Sequence, residues 1–219
     1  MLGLVRLKDG SEIAAVVVSD PSFSLTNPSI YAPESAYNTD AGYELGNVEA
    51  AKGYLEAARY NGETISIQVI ATNNTQNRVA VALVEQAKRV GINLEIKSYD
   101  LATWVAKRRD PDALNIYTSA GYWVDPSLWH PEFNGTFPSP EVGFISPETE
   151  EIFAGLASAT TFEERKALGE DLQKAFYGQV AMLNLGYIYR LVAKSSKVHD
   201  PYNNLALGNL TLHGVWKDQ

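Results

Sequence analysis

The chain has 219 residues and a formal charge of −8, from 18 Lys and Arg against 26 Asp and Glu, with 45% hydrophobic residues and no Cys. That length supports one large or two small domains with a real core, and the apolar fraction is too high for a disordered chain. The missing Cys excludes a disulfide scaffold, a thiol nucleophile and a Cys-ligated metal, and the acidic balance disfavours nucleic acid and anionic membrane surfaces, which need clustered Lys and Arg.

Residues 1–46 stand apart from the rest of the chain. Met1-Leu2-Gly3-Leu4-Val5 is apolar, but Arg6, Lys8, Asp9 and Glu12 interrupt it at once. A secretory signal places its positive charge before an unbroken apolar core, so that order is absent, leaving a cytoplasmic protein or a chain that starts downstream of a signal. The longest strongly apolar run, Ile13–Val18, is far short of the ~20 residues a membrane-spanning helix needs. Within it, Val16-Val17-Val18 predicts a short buried strand. Asp20-Pro21, Asn27-Pro28, Ala32-Pro33 and Asn38-Thr39-Asp40-Ala41-Gly42 then crowd together. Pro and Asx at that density sustain neither a helix nor an inner strand, which predicts an extended Pro-rich segment that crosses the surface or lies over something.

Regular alternation begins at Asn47. Val48, Ala51, Leu55 and Ala58 fall at helical spacing behind an Asn47 cap, and Asn61-Gly62 ends the run. Ile65, Ile67 and Val69 alternate with polar residues as in a strand. Val79, Leu83, Ala87 and Val90 line one helix face closed by Gly91, and Ile92–Lys97 alternates again. Leu101, Trp104, Val105 and Arg108 predict a short helix, and Leu114–Tyr117 a third strand. Strand and helix alternating at this spacing imply right-handed crossovers and an α/β fold, with a mainly parallel or mixed sheet flanked by helices. A Gly- and Pro-rich loop follows from Gly121 to Pro147. Ser146 with Pro147 opens one helix, and the capping box Thr161-Phe162-Glu163-Glu164 opens another whose core face is Leu168, Leu172 and Phe176. Val180–Leu185 reads as a further buried strand, and from Lys194 the chain is irregular to Trp216.

Catalytic signatures are missing. There is no phosphate loop, no Gly-x-Gly-x-x-Gly, no Gly-x-Ser-x-Gly and no His-Glu-x-x-His, and His130, His199 and His213 lack metal-ligand spacing. Glu148, Glu150, Glu151, Glu163 and Glu164 lie in helix first turns, where the macrodipole explains them, and Asp110-Pro111-Asp112 reads as a turn. No cofactor, metal or catalytic residue is expected. One constellation differs. The third strand runs into Gly121-Tyr122-Trp123-Val124-Asp125-Pro126, with Trp129 close behind. In open α/β sheets ligands bind beyond the carboxyl ends of strands, so Gly121, Tyr122, Trp123 and Asp125 make one candidate wall. The end of the first strand, Thr72-Asn73-Asn74, makes a second at the same edge. Aromatic faces bury organic surface and a carboxylate holds an ammonium group, although Trp123 and Trp129 packing the loop down, with Asp125 capping a turn, is the structural alternative.

Ala50–Ala58, the run Val84-Glu85-Gln86-Ala87-Lys88-Arg89-Val90-Gly91-Ile92-Asn93-Leu94-Glu95-Ile96, then Ala102-Thr103-Trp104, Arg108-Arg109-Asp110 and Tyr122–Pro126 form an ordered set. Over roughly residues 47–189 it resembles the C-terminal lobe of family 5 extracytoplasmic solute-binding proteins, the oligopeptide, dipeptide and nickel receptors of ABC importers. The resemblance implies one lobe of a periplasmic-binding-protein type II fold. It implies a non-catalytic receptor outside the cytoplasmic membrane that closes on a solute, most simply a peptide, and delivers it to permease subunits. In peptide-binding members an aspartate of the loop matching Tyr122–Pro126 pairs with the peptide's α-ammonium group and a nearby Trp lines the pocket, roles that Asp125 and Trp123 fit. Two departures are visible: the loop is shorter than in familiar peptide binders, and Ile70-Ala71-Thr72-Asn73 lacks the arginine that grips a dipeptide's carboxylate, with Arg78 the nearest substitute. Such receptors run to roughly twice this length. The chain is therefore expected to be about the second half of one, with Met1 an artificial or internal start. Residues 1–46 would then lead into a lobe at 47–190, and 191–219 would return to the other lobe. Weak solute binding and a non-native dimer of the isolated lobe are the corollaries. The alternatives are a hydrolase or lyase using Asp125 or Glu132, and a receptor-like sensor domain.

Overall fold

The computed structural model describes residues 10–18, 20–43, 47–107, 115–118, 121–129, 146–179, 183–189, 193–199, 202–204, 209–211 and 215–218. Its centre is a three-stranded sheet of β2 (Ile65–Ile70), β3 (Leu94–Tyr99) and β4 (Asn115–Tyr117), in the order β3-β2-β4 with every pairing parallel. Register is Ile67 opposite Ile96 on one side and Ile116 on the other, so all three strands run out at the same edge. Helices α3 (Asn74–Lys88) and α4 (Leu101–Lys107) lie in the crossovers from β2 to β3 and from β3 to β4, and α2 (Val48–Ala57) precedes β2. The apolar alternation of β2 turns Ile67 and Val69, both 0% exposed, into a core shared with Val79, Ala80, Leu83 and Ala87 of α3 and Ala51 of α2. Burying one such isoleucine contributes about 2 kcal/mol, and that sum fixes the register.

Local signals are realised at the helix ends. The Asn47 side chain accepts from Ala50 N–H at 2.8 Å, Gly91 takes φ +85°, and Ser146 caps α5 (Pro147–Ser158) in a capping box with Thr149. Thr161 Oγ1 accepts from Glu164 N–H at 3.2 Å while the Glu164 carboxylate accepts from Thr161 N–H at 3.1 Å, opening α6 (Phe162–Gln179).

Two expectations need correction, and a third is narrowed to one of its alternatives. The Val16–Val18 run is no strand: Gly10–Val17 forms a helix, α1, with Ile13 2% exposed against α3 and Val16 47% exposed. Packing across α3, reinforced by Glu12 bonding Arg89 at 2.9 Å and Gln86 at 3.0 Å, overrides the β preference of valine. Of the two courses open to the Pro-rich segment, it takes the second and lies over α6, with its middle buried. Ile30, Tyr31 and Ala32 are at most 2% exposed, and Ile30, Tyr31 and Tyr37 pack with Trp129, Phe153, Leu172 and Phe176 in a second core. The strand expected at Val180–Leu185 is absent where it can be judged. Residues 180–182 lie outside the described residues, Leu183 and Leu185 pack on the first core without regular structure, and strand begins only at β5 (Tyr187–Ile188). β5 pairs antiparallel with β1 (Ser24–Leu25). The C-terminal residues form two further antiparallel ribbons, β6 (Val198–His199) with β9 (Trp216–Lys217) and β7 (Tyr202–Asn204) with β8 (Asn209–Thr211).

Candidate functional site

The parallel sheet exposes its carboxyl edge through the loops after β2 and β4, and one side chain ties these exits together. Gln76, in the first turn of α3, accepts from Ile70 N–H at 2.8 Å and donates to the Thr118 carbonyl at 3.1 Å. Asn77 donates to the carbonyls of Ile70 at 3.1 Å and Asn73 at 2.8 Å. Asn73 is committed to the helix, its side chain accepting from Gln76 N–H at 3.1 Å as the α3 cap. Thr72 is exposed on the loop between them. Arg78 turns away from this edge, donating to the Val17 carbonyl at 3.4 Å.

On the second loop, Gly121 makes room for an indole. A Cβ at this position would sit 1.9 Å from Trp123 Cη2, so the ring lies directly over the glycine. Its other contact is a stack on Trp129 with centroids 4.1 Å apart and planes 15° apart, and Trp129, 3% exposed, meets Phe176 edge-on. Trp123 thus belongs to the second core through one face while staying partly exposed. Substituting Gly121 by Val should lift the indole off Trp129, with a red shift of tryptophan emission and a loss of about 1–3 kcal/mol in denaturant unfolding. Unchanged emission and midpoint would contradict that packing.

Asp125 has an internal cation. Arg165 Nη2 donates to its two carboxylate oxygens at 3.0 and 3.1 Å, and Ser127 N–H adds a bond at 2.8 Å. The same guanidinium donates to the Leu156 carbonyl at 2.9 Å, to Ser127 Oγ at 3.0 Å and to Tyr37 Oη at 3.3 Å. Pairing with a solute ammonium would have to compete with this arrangement. Tyr122 points elsewhere, its hydroxyl donating to the Glu34 carboxylate. Partial burial raises the Tyr122 hydroxyl above the usual phenol range, and the Glu34 bond and charge add to the rise, so Tyr122 remains the donor at neutral pH.

The second loop thus carries Gly121, Tyr122 and Trp123 together and holds Asp125 on Arg165, while Gln76 ties the exit of β2, which leads to Thr72, to Thr118 after β4. Sequence reasoning missed Gln76, Arg165 and Glu34. Only Arg165 carried a signal: a cation in the first turn of α6 opposes the helix dipole and so calls for an acidic partner. Elsewhere, His199 lies 3.0 Å from Asp218 Oδ2 and stacks on Trp216, while His130, His213, Glu132 and Asp110-Pro111-Asp112 fall outside the described residues. Among the described residues no three His, Asp or Glu gather as a metal site, and no helix is long and apolar enough to cross a membrane.

Residues 9–138 match the family model described as bacterial extracellular solute-binding proteins, family 5 middle, which is more than half of the chain. The chain belongs to that family. Among curated relatives, the probable peptide ABC transporter periplasmic-binding protein y4tO of Sinorhizobium fredii is 23% identical over 199 residues, covering 84% of this chain and 37% of its own length. Among solved structures, the dipeptide-binding protein of Pseudoalteromonas sp. SM9913 in complex with Met-Leu superposes with a TM-score of 0.80 at 20% identity, over 99% of this chain and 44% of that one. The oligopeptide-binding protein AppA of Bacillus subtilis, in complex with a nonapeptide, gives 0.76 at 13% identity over 100% of this chain and 47% of that one. This family 5 chain spans less than half the length of each of these relatives. Its α/β architecture is that of the same binding-protein fold.

Proposed function

We propose that this chain is a solute-binding lobe of a peptide receptor that serves an ABC importer outside the cytoplasmic membrane and changes no bond in its cargo. The observation that carries the reading is the family match over residues 9–138. The names of y4tO, the dipeptide-binding protein and AppA, all concerned with peptides, support a peptide as the solute. The sheet edge supports it physically: Gly121, Tyr122, Trp123, Thr72 and Asn73 form or border a rim of aromatic and small polar groups, with Asp125 on the same loop. Its partners are the solute, the facing lobe and permease subunits. One lobe supplies one wall of a pocket that otherwise buries ~70–90% of a small solute, so affinity should be weak.

Equilibrium dialysis of the chain against a pool of Ala-Xaa-Ala tripeptides, followed by mass spectrometry, tests this. Retention of intact tripeptides with dissociation constants in the high micromolar range or weaker is expected. Cleaved peptides, or retention of a maltooligosaccharide pool in place of the tripeptides, would overturn it.

A further inference from the structure

The carboxylate available to a solute at this edge is not the one on the loop itself. Asp125 faces Arg165, whereas Glu34, arriving from the Pro-rich segment, is exposed and bonds Tyr122 Oη, and among the described residues no Lys, Arg or His is paired with it. Its position is built rather than incidental. The segment is stitched along the loop by Ala32 N–H to the Trp123 carbonyl at 2.7 Å and by Ser35 Oγ to the Val124 carbonyl at 2.6 Å, with Glu34 between these two bonds. A carboxylate has about four acceptor sites, and the Tyr122 hydroxyl uses one.

Tyrosines surround it. Tyr187 Oη donates to the Tyr31 carbonyl at 2.6 Å, three residues before Glu34, and Tyr189, 52% exposed, is fixed by its N–H bonding the Phe23 carbonyl at 2.8 Å. Burial lifts the Tyr187 hydroxyl above the phenol range, and its electrostatic coupling to Glu34 and then to Tyr122 lifts it further, while Tyr189 acts in the same sense on Tyr122. Tyr122 and Tyr187 are therefore neutral at pH 7, and the acidic side chain that bonds Tyr122 is Glu34. A carboxylate set beside neutral aromatic rings, with no cation paired to it among the described residues, attracts an organic cation through both charge and ring quadrupole.

We infer that Glu34, positioned by Tyr122 and flanked by Tyr187 and Tyr189, is the group that holds the protonated amine of the solute. The inference rests on the peptide-receptor reading and names the residue that would select a charged amino group within it. Asp125 then keeps the loop folded and does not touch the solute.

A double-mutant cycle between protein and ligand decides the matter. The probes are the Ala-Xaa-Ala pool with free amino termini and the same pool N-acetylated, with retention by the chain read by dialysis and mass spectrometry. Wild type should retain the free-amine pool at least ten-fold better than the acetylated pool. Glu34→Gln should lower free-amine retention at least ten-fold and leave acetylated retention unchanged, with an unaltered melting temperature because the side chain is exposed. Tyr122→Phe, which keeps the ring and frees the carboxylate, should shift free-amine retention by less than Glu34→Gln. Equal effects of Glu34→Gln on both pools, or none on either, would overturn the assignment while leaving peptide binding intact. So would an amine-selective loss confined to Asp125→Asn. Failure of the wild type to retain either pool would overturn the receptor reading and this assignment together.

Discussion

Replacing Gln173 by Leu should destabilise the protein by about 3–5 kcal/mol, the largest effect expected of any single substitution outside the apolar core. Gln173 is 0% exposed and uses its whole hydrogen-bonding capacity on the Pro-rich segment. Its amide oxygen accepts from Ser29 Oγ and Ile30 N–H, both at 3.0 Å. Its amide nitrogen donates to the carbonyls of Thr39 at 3.0 Å and Ala41 at 2.8 Å. A leucine fills similar volume but leaves the Ile30 N–H and two carbonyls without partners and the Ser29 hydroxyl, which still accepts from Tyr31 N–H at 3.1 Å, without an acceptor; each orphan costs about 1–3 kcal/mol, with some recovered as water enters. At about 2–4 °C per kcal/mol for a chain of this size, the melting temperature should fall by roughly 6–20 °C. Calorimetry would measure it, and a fall of less than about 3 °C would mean that the segment is not held by α6.

The second large effect concerns Arg165. Arg165→Met removes the cation from Asp125 and the donors to the Leu156 carbonyl, Ser127 Oγ and Tyr37 Oη. The Arg165 and Asp125 side chains are 26% and 35% exposed, so solvent screens the pair, and about 2–3 kcal/mol is expected instead of the larger cost of splitting a fully buried pair. The informative measurement is the stability cycle with Asp125→Asn. If the carboxylate holds the loop through Arg165, Asp125→Asn alone should cost about 1 kcal/mol and the two changes should be less than additive by a similar amount. Full additivity, or an Asp125→Asn protein as stable as wild type, would return Asp125 to the pool of groups free for a solute.

The contrast between these residues and the parallel sheet explains what the sequence could and could not reveal. β2, β3 and β4 were legible because their alternation is a local record of which face meets α3, and the caps at Asn47, Ser146 and Thr161 because a helix start is settled within four residues. The Pro-rich segment was half legible. Its composition correctly excluded helix and inner strand, but nothing near Ser29 announces that its amide partner lies at Gln173, 144 residues later. The Val16–Val18 run misled because β preference is weak beside the burial of Ile13 against α3. At the site, Gly121, Tyr122 and Trp123 could be picked out by their place after a strand, whereas the partners that set their roles, Glu34 and Arg165, come from segments 88 and 40 residues away.

The Gln76 bridge has a mechanical consequence. The last amide of the central strand is bonded to a side chain whose other end grips the neighbouring exit at Thr118. A cargo molecule pressing on the Thr72 turn and one pressing on the exit of β4 at Thr118 therefore pull on the same short linkage. The rim should yield as one stiff plate, so contact made at one corner is transmitted to the other without rearrangement of the strands behind it.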